Sequence, residues 1–193
     1  MFLEKSCLSF PFGRNMCEKA CTPYLWGEWV DMKIRQMAAD EIGSIKGLWE
    51  MLNSHHLLRS TVFKEHYSKF TFEKRMDGLK KRDRLAAFVA EENGRSVGYS
   101  VATVDGRLGE IDSLFVEEAH RGKGMGEKLV SLALAWLEKQ ECEAIRVSIA
   151  RGNEDVLDFY RRFGFAERAV VMQKIRGRKR PRRTGKKGGS VHG

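Results

Sequence analysis

Cysteine is scarce in this chain, with 4 among 193 residues. Cys17 and Cys21 stand four residues apart, and no further cysteine or histidine pair has the spacing typical of a zinc site. The sequence therefore argues against a disulfide framework and predicts no metal site. Because unpaired thiols are typical of a reducing compartment, we expect the protein in the cytoplasm.

Long apolar runs are also lacking. No stretch approaches the ~20 apolar residues that a membrane-spanning helix needs. The N-terminus carries Lys5 but no apolar segment long enough for a signal peptide. We therefore expect no signal peptide and no membrane partner.

Acidic residues are absent after Glu167, and this absence sets the charge of the chain. The formal net charge is +9, from 35 basic and 26 acidic residues. Eight of the basic residues lie in the tail: Arg176, Arg178, Lys179, Arg180, Arg182, Arg183, Lys186 and Lys187. Without these eight the balance is 27 to 26, so the remainder is nearly neutral. Residues 176–193 are predicted to be a disordered tail, which either only solubilises the chain or contacts nucleic-acid phosphates through residues 176–187.

Residues 1–29 read as an irregular extension that proline and glycine interrupt. Residues 30–175 read as one folded domain. Strand-like alternation covers residues 30–37, a helix is predicted over 39–58, and a second helical region over 64–81. Cys142 is predicted to be a small core residue.

The second half of the domain alternates strands and helices. Asn93 and Gly94 predict a tight hairpin turn. The predicted elements are strands over 85–90, 96–104 and 108–116, a helix over 125–141, a strand over 145–149, a helix from Asn153, and a last strand over 169–175. In the 125–141 helix the apolar stripe is Leu129, Leu132, Ala133, Trp136 and Leu137. This order predicts an α/β (α+β) domain with a mixed sheet.

A glycine-rich loop links a strand to a helix at Arg121-Gly-Lys-Gly124-Met-Gly126. Uncovered N–H groups at a helix N-terminus bind anions such as a pyrophosphate. The P-loop pattern G-x-x-x-x-G-K-[ST] and the dinucleotide pattern G-x-G-x-x-G both fail here. The pattern that fits is [RQ]-x-x-G-x-[GA]. Taken alone, a glycine turn without a ligand remains an alternative.

A second motif follows about thirty residues later, at Asn153-Glu-Asp-Val-Leu-Asp-Phe-Tyr160-Arg-Arg-Phe-Gly164-Phe165. Asn153 is suited to cap the helix, and its spacing of seven puts it on the same face as Tyr160. Gly164 is suited to end the helix, and Phe165 to return the chain to the core.

Together the two motifs resemble the signatures of the GNAT superfamily of N-acetyltransferases. The resemblance extends over about Val30 to Ile175 and is strongest over residues 108–165. It implies a GNAT-like central sheet, mixed but mostly antiparallel, with helices flanking it and strands that splay apart at the acetyl-CoA site. It also implies transfer of an acetyl group from acetyl-CoA, a cosubstrate, to an amine by direct attack in a ternary complex.

The resemblance assigns candidate residues to both reactants. Those expected to bind acetyl-CoA are Leu114, Phe115, Val116, Arg121, Gly122, Lys123, Gly124, Met125, Gly126 and Asn153. Tyr160 is expected to protonate the departing thiolate. Glu110 is the favoured base and Asp112 the second choice. Both carboxylates are equally well explained as solvent-facing strand residues.

The acceptor side stays open in the sequence. Residues 39–81 would carry it, and they hold His55, His56, His66 and Tyr67. Small-molecule and protein amines both remain candidates. The sequence does not decide whether the chain forms a homodimer. A different class of function also remains, in which a GNAT-like module holds CoA, or nothing, while the basic tail tethers it to nucleic acid or ribosomes.

Overall fold

The computed structural model describes residues 31–174. The predicted extension and basic tail lie outside the described residues, so the tail's contact with nucleic acid stays a prediction. Cys142 lies inside them. It is half-buried and packs against the core, so the prediction of a core residue holds in part.

The sheet has five strands in the order β1-β2-β3-β4-β5. They are β1 (Met32–Gln36), β2 (Arg84–Glu92), β3 (Arg95–Asp105), β4 (Leu108–Val116) and β5 (Ala144–Val147). The first three pairings are antiparallel, and β4 pairs with β5 in parallel. This confirms the predicted mixed, mostly antiparallel sheet. The β2–β3 hairpin turns at Asn93 and Gly94, where φ is 49° and 77°, as a primed turn requires.

Among residues 31–174, five α-helices surround the sheet: α1 (Lys46–Arg59), α2 (Lys64–Lys69), α3 (Phe72–Leu79), α4 (Met125–Glu138) and α5 (Leu157–Arg161). Short 3-10 segments at Ala39–Ile45, Glu118–His120 and Glu154–Val156 precede α1, the glycine loop and α5. In the part of the chain that the structure describes, no helix is both long and apolar enough to span a bilayer.

The helical region predicted over 64–81 is two helices rather than one. Phe70 ends α2 in an extended conformation, and the next residue begins α3 as its cap. The Thr71 hydroxyl accepts a hydrogen bond from the Lys74 N–H at 3.4 Å. A threonine cap satisfies a donor that the first helical turn leaves free, so it restarts the helix here.

The predicted stripe of α4 is mostly buried. Leu129, Ala133 and Leu137 are fully enclosed, and Trp136 is partly buried. Leu132 is 37% exposed, so its placement in the stripe was wrong. Val130 is buried instead. The helix faces the sheet with residues spaced four apart from Met125 to Leu137, and Val130 lies beside that row.

Helices cover both faces of the sheet. Because side chains alternate along each strand, neighbouring residues of one strand pack with different helices. In β2, Phe88 and Ala90 pack with α4, whereas Ala87 and Val89 pack with α1 and α3. The resulting three layers leave the carboxyl end of β4 between the two sets of helices.

The end of α5 is closed as the second motif predicts. The Gly164 N–H donates to the Arg161 carbonyl at 3.0 Å, and the Phe165 N–H donates to the Tyr160 carbonyl at 3.3 Å. This pair of bonds is a Schellman motif with Gly164 at C′. Phe165 then packs against the core.

The last strand predicted over 169–175 is wrong for the residues described. Residues 165–174 have no regular secondary structure. Val170, Val171 and Met172 are 89%, 92% and 90% exposed. An apolar, β-prone run becomes a strand only where a partner strand accepts its hydrogen bonds, and here no described strand pairs with it.

A turn after β5 packs closely against the end of α1, and a substitution there tests its contribution to stability. Gly152 has φ of +94°, and an added Cβ would lie 2.9 Å from the Arg59 carbonyl oxygen. We expect Gly152→Ala to lower the free energy of unfolding by about 2 kcal/mol or more, from backbone strain and the collision together. Chemical denaturation measures this change.

Gly106→Ala is the matched control. Gly106 also has a positive φ, +58°, but nothing lies within 4 Å of its would-be Cβ. It carries the strain without the collision, so its loss is expected to be about 1 kcal/mol. Equal losses in both variants would show that the turn does not press on α1.

Candidate functional site

The site begins where β4 and β5 part. Their parallel pairing runs from Leu108 with Ala144 to Ile111 with Val147 and then stops, although β4 continues to Val116. The register of β4 against β3 also shifts there, because Val101 pairs with Ser113 and Ala102 with Ile111. Asp112 is thus the extra residue of a β-bulge, a feature that bends a strand and re-aims its side chains. This divergence is the predicted splay.

A cleft of about 620 Å³ fills the space that the divergence opens. Its lining comes from α1, α2, the end of β4, the start of α4, the segment after β5, and α5. Nine of the thirteen predicted site residues line it: Asp112, Leu114, Phe115, Val116, Arg121, Gly122, Gly126, Asn153 and Tyr160. The folding of distant segments therefore brings most of both motifs to one cavity.

The glycine loop forms one end of the cleft. Gly124 is the N-cap of α4 with φ of 76°, a left-handed conformation that suits glycine. The Arg121 Nε donates to the Val116 carbonyl at 2.9 Å, which ties the loop to the end of β4. Its guanidinium also stands 5.7 Å from the Phe115 ring centroid. The first turn of α4 thus starts beside the cleft with its N–H groups uncovered.

Three predicted loop residues do not line the cleft. Lys123 is exposed, Gly124 is half-buried, and the Met125 side chain is 3% exposed in the core. Any contact of Met125 with a ligand is therefore limited to its backbone.

The two candidate carboxylates lie in different surroundings. Glu110 is 8% exposed and does not line the cleft. It accepts hydrogen bonds from the Ser148 hydroxyl at 2.9 Å and from Arg146 at 3.1 Å. Ser148 does line the cleft, so Glu110 lies one side chain behind it.

Asp112 lines the cleft and pairs with Arg75 of α3. The Arg75 guanidinium also donates to the Asp112 carbonyl at 2.8 Å. Burial raises the pKa of the Asp112 carboxyl above its ordinary value, Arg75 opposes that rise, and the charge of Glu110 adds to it. A carboxylate with a raised pKa is a stronger base than an exposed one.

Tyr160 is 7% exposed and lines the cleft. Its ring meets Phe159 and Phe165 edge-on, with centroids 5.1 Å and 5.8 Å away. Burial raises the pKa of Tyr160 to about 12, so its hydroxyl keeps its proton at neutral pH. The arrangement places a neutral hydroxyl group on a packed ring at the cleft.

Asn153 precedes α5 but does not cap it through its side chain, contrary to the prediction. Its Oδ1 lies 3.2 Å from the His55 Nε2 of α1. Because the first turn is a 3-10 segment, the Asn153 backbone is at φ of −120° and ψ of 30°, outside the extended region usual for a cap. The side chain joins α1 to the second motif instead.

Two arginines and a buried histidine belong to this region and were not predicted from the sequence. Arg75 pairs with Asp112 from 37 residues away, and Arg162 donates to Glu127 at 3.0 Å, where both residues line the cleft. His120, just before the loop, is 6% exposed with its Nε2 2.8 Å from Glu92. All three pairings join residues distant in sequence, so no local signal pointed to them.

Among residues 31–174, no three His, Cys, Asp or Glu side chains are grouped so that they could hold a metal ion.

Comparison with known proteins shows the family of this chain. The model of the acetyltransferase (GNAT) family matches residues 49–165. The chain is 32% identical over 100 residues to an uncharacterized N-acetyltransferase of Methanocaldococcus jannaschii, a match over 48% of this chain and 44% of that protein. The chain thus spans less than half the length of that relative.

Two solved structures share the fold. A putative acetyl transferase from Pyrococcus furiosus has a TM-score of 0.61 and 22% identity, over 75% of this chain and 99% of its own. An aminoglycoside N-acetyltransferase in complex with CoA has a TM-score of 0.57 and 20% identity, over 79% of this chain and 99% of its own. With the family match over more than half of its residues, the chain belongs to the acetyltransferase (GNAT) family.

Proposed function

We propose that this chain is an acetyl-CoA-dependent N-acetyltransferase that moves the acetyl group to an amine by direct attack in a ternary complex. One observation carries the proposal. The cleft between the diverging strands is lined by the glycine loop, the free end of β4 and Tyr160. The family match and the CoA-bound structural neighbour support the same donor.

In this proposal the loop holds the pyrophosphate. Backbone N–H groups from Gly122 to Gly126, through Lys123, Gly124 and Met125, face the anion together with the positive end of the α4 dipole. Arg121 adds charge. In the described residues it has no carboxylate partner, which leaves it available to a phosphate.

The pantetheine arm would run along the end of β4, where pairing with β5 has stopped. Leu114, Phe115 and Val116 line the cleft at this edge, and Asn153 lines it from the α5 side. The unpaired backbone of β4 beyond Ile111 offers the arm hydrogen bonds that β5 does not use. Such anchoring holds the thioester near both the carboxylates and Tyr160.

The reaction needs a neutral amine, because an ammonium has no lone pair. We assign the base to Asp112 rather than to Glu110, reversing the order that the sequence favoured. Asp112 lines the cleft and its pKa is raised by burial, whereas Glu110 sits behind Ser148. The negative charge of Glu110 would then help to raise the pKa of Asp112.

The amine nitrogen then attacks the thioester carbonyl carbon. A C–N bond forms, the C–S bond breaks, and the nitrogen gives up a second proton to solvent, because Asp112 already holds the first. A backbone N–H near Val116 would stabilise the oxyanion that develops. Tyr160 would give its proton to the sulfur, so that CoA leaves as the thiol, and would regain a proton from solvent.

The test is release of CoA thiol in the presence of a panel of primary amines, with mass spectrometry of the acetylated product. We expect thiol release that depends on the amine and exceeds hydrolysis without amine at least about tenfold. Equal release with and without every amine, from folded protein, would contradict the proposal and favour a module that only binds CoA.

A further inference from the structure

The acceptor end of the cleft is lined with aromatic side chains. They come from α1, α2 and the residue that links α2 to α3, and we call them the aromatic wall: Trp49, His55, His56, His66, Tyr67 and Phe70. Trp49 is 6% exposed, and His56 and Tyr67 are half-buried.

The rings of the wall contact one another, two pairs by stacking and others edge-on. His56 lies over Tyr67 with centroids 5.5 Å apart and planes 29° apart. His66 lies over Phe70 at 5.4 Å and 23°. Trp49 meets Phe70 edge-on at 5.6 Å. The wall therefore presents ring faces and edges in fixed positions, the geometry in which aromatic groups attract each other.

Hydrogen bonds hold this wall together across the two helices. The Asn53 side-chain amide of α1 donates to the Tyr67 carbonyl at 2.9 Å and to the Phe70 carbonyl at 3.4 Å. Both acceptors lie at the end of α2. The wall is thus organised before any acceptor arrives, which lowers the entropy lost on binding.

The charges along the cleft do not suit an acceptor with several positive charges. The three carboxylates that line it are each paired with an arginine in the described residues. Asp112 pairs with Arg75, Asp155 with Arg59 at 2.9 Å, and Glu127 with Arg162 at 3.0 Å. A polycation would have to compete with these arginines for every carboxylate.

His56 of the wall is uncharged at neutral pH. Burial lowers the pKa of His56 below its ordinary value, and the neighbouring His55 and Arg59 lower it further. Its ring is therefore neutral at pH 7.5 and adds a flat surface.

Resting on the proposed acetyl transfer, we propose that the acceptor is a monoamine that carries a flat aromatic ring, which stacks against the aromatic wall while its amine reaches Asp112. The ring supplies the binding contact that no free carboxylate supplies. A short aliphatic link between ring and amine lets both ends engage at once.

Three amines test this class at one acetyl-CoA concentration. They are 2-phenylethylamine, 2-cyclohexylethylamine, which has the same length and charge but no aromatic ring, and spermidine. We expect kcat/KM for phenylethylamine to exceed that for cyclohexylethylamine by about 3- to 10-fold. It should exceed that for spermidine by about tenfold or more.

Tyr67→Leu should remove most of the phenyl-over-cyclohexyl preference and leave the acetyl-CoA dissociation constant unchanged. Phe63→Leu is the matched control, because Phe63 begins the same helix but does not line the cleft. It should keep the preference. Unchanged acetyl-CoA binding in both variants would show that the proposed acetyl-CoA site is intact.

The outcomes separate the acceptor class from the transfer itself. Equal rates for the two ring amines, or a preference for spermidine, would overturn the aromatic acceptor and leave acetyl transfer standing. Acetyl-CoA binding without acetylation of either ring amine would also overturn the aromatic acceptor. Failure to bind acetyl-CoA would overturn the proposed function and this inference together.

Discussion

Replacing Tyr160 with phenylalanine is expected to lower kcat for acetyl transfer by about 10²-fold or more, because the departing thiolate loses its proton donor. The acetyl-CoA dissociation constant should hardly change. The ring packs against Phe159 and Phe165 through its edges, and phenylalanine keeps those contacts. Steady-state kinetics and calorimetry measure the two effects separately.

Tyr67→Phe is the matched control, since Tyr67 also lines the cleft and burial also raises its pKa. It should keep kcat within about threefold, because the proposed reaction takes no proton from it. The pKa of Tyr160 is about 12, so its deprotonation should cause no loss of kcat below about pH 11. Equal kcat in the natural chain and in Tyr160→Phe would exclude the assigned role.

Replacing Asp112 with asparagine is expected to lower kcat/KM at pH 7 by about 10²-fold. The ionised carboxylate accepts the proton of the ammonium, and the amide of asparagine does not. The activity of the natural chain should fall as the pH drops through the raised pKa of Asp112, because protonation removes the base. That acid limb of the kcat/KM profile should disappear in the variant.

Glu110→Gln is the comparison that decides between the carboxylates. Glutamine can still accept from Arg146 through its one oxygen and donate an amide N–H to the Ser148 hydroxyl, and we expect a loss in kcat/KM below about tenfold. The acid limb should remain but move to lower pH, since the charge of Glu110 helps to raise the pKa of Asp112. A large loss in Glu110→Gln with a fully active Asp112→Asn would return the base to Glu110.

The parts of the site that local sequence determines could be predicted. The start of α4 at Met125 and the position of Gly164 at the end of α5 follow from residue spacing over a few positions. The hairpin at Asn93 and Gly94 is equally local. The order of the elements then brought the loop and Tyr160 to one cleft, as the resemblance implied.

The parts of the site that depend on contacts between distant residues could not be predicted from the sequence. Arg75 reaches Asp112 from another helix, and the bulge that turns Asp112 toward the cleft depends on pairing with β3. Glu110 was the first choice for the base from the sequence, and its hydrogen bond from Ser148, a residue that lines the cleft, joins positions 38 residues apart. The strand expected near Val170 was wrong because β-propensity says nothing about whether a partner strand is in place.

The central claim is that the loop at the start of α4 binds the pyrophosphate of acetyl-CoA. Gly126 lines the cleft, and a Cβ there would lie 3.5 Å from the Phe159 ring, an ordinary contact. Alanine therefore fits this position. Glutamate brings a carboxylate to the same place, and a carboxylate at a helix N-terminus does not weaken the helix.

Calorimetric titration of acetyl-CoA into the natural chain, Gly126→Ala and Gly126→Glu tests that claim most directly. We predict one bound acetyl-CoA per chain, with similar affinity in the natural chain and Gly126→Ala. Affinity should be about 100-fold weaker in Gly126→Glu, because its carboxylate repels the pyrophosphate. Equal affinity in all three proteins, or no binding by the natural chain, would contradict the account.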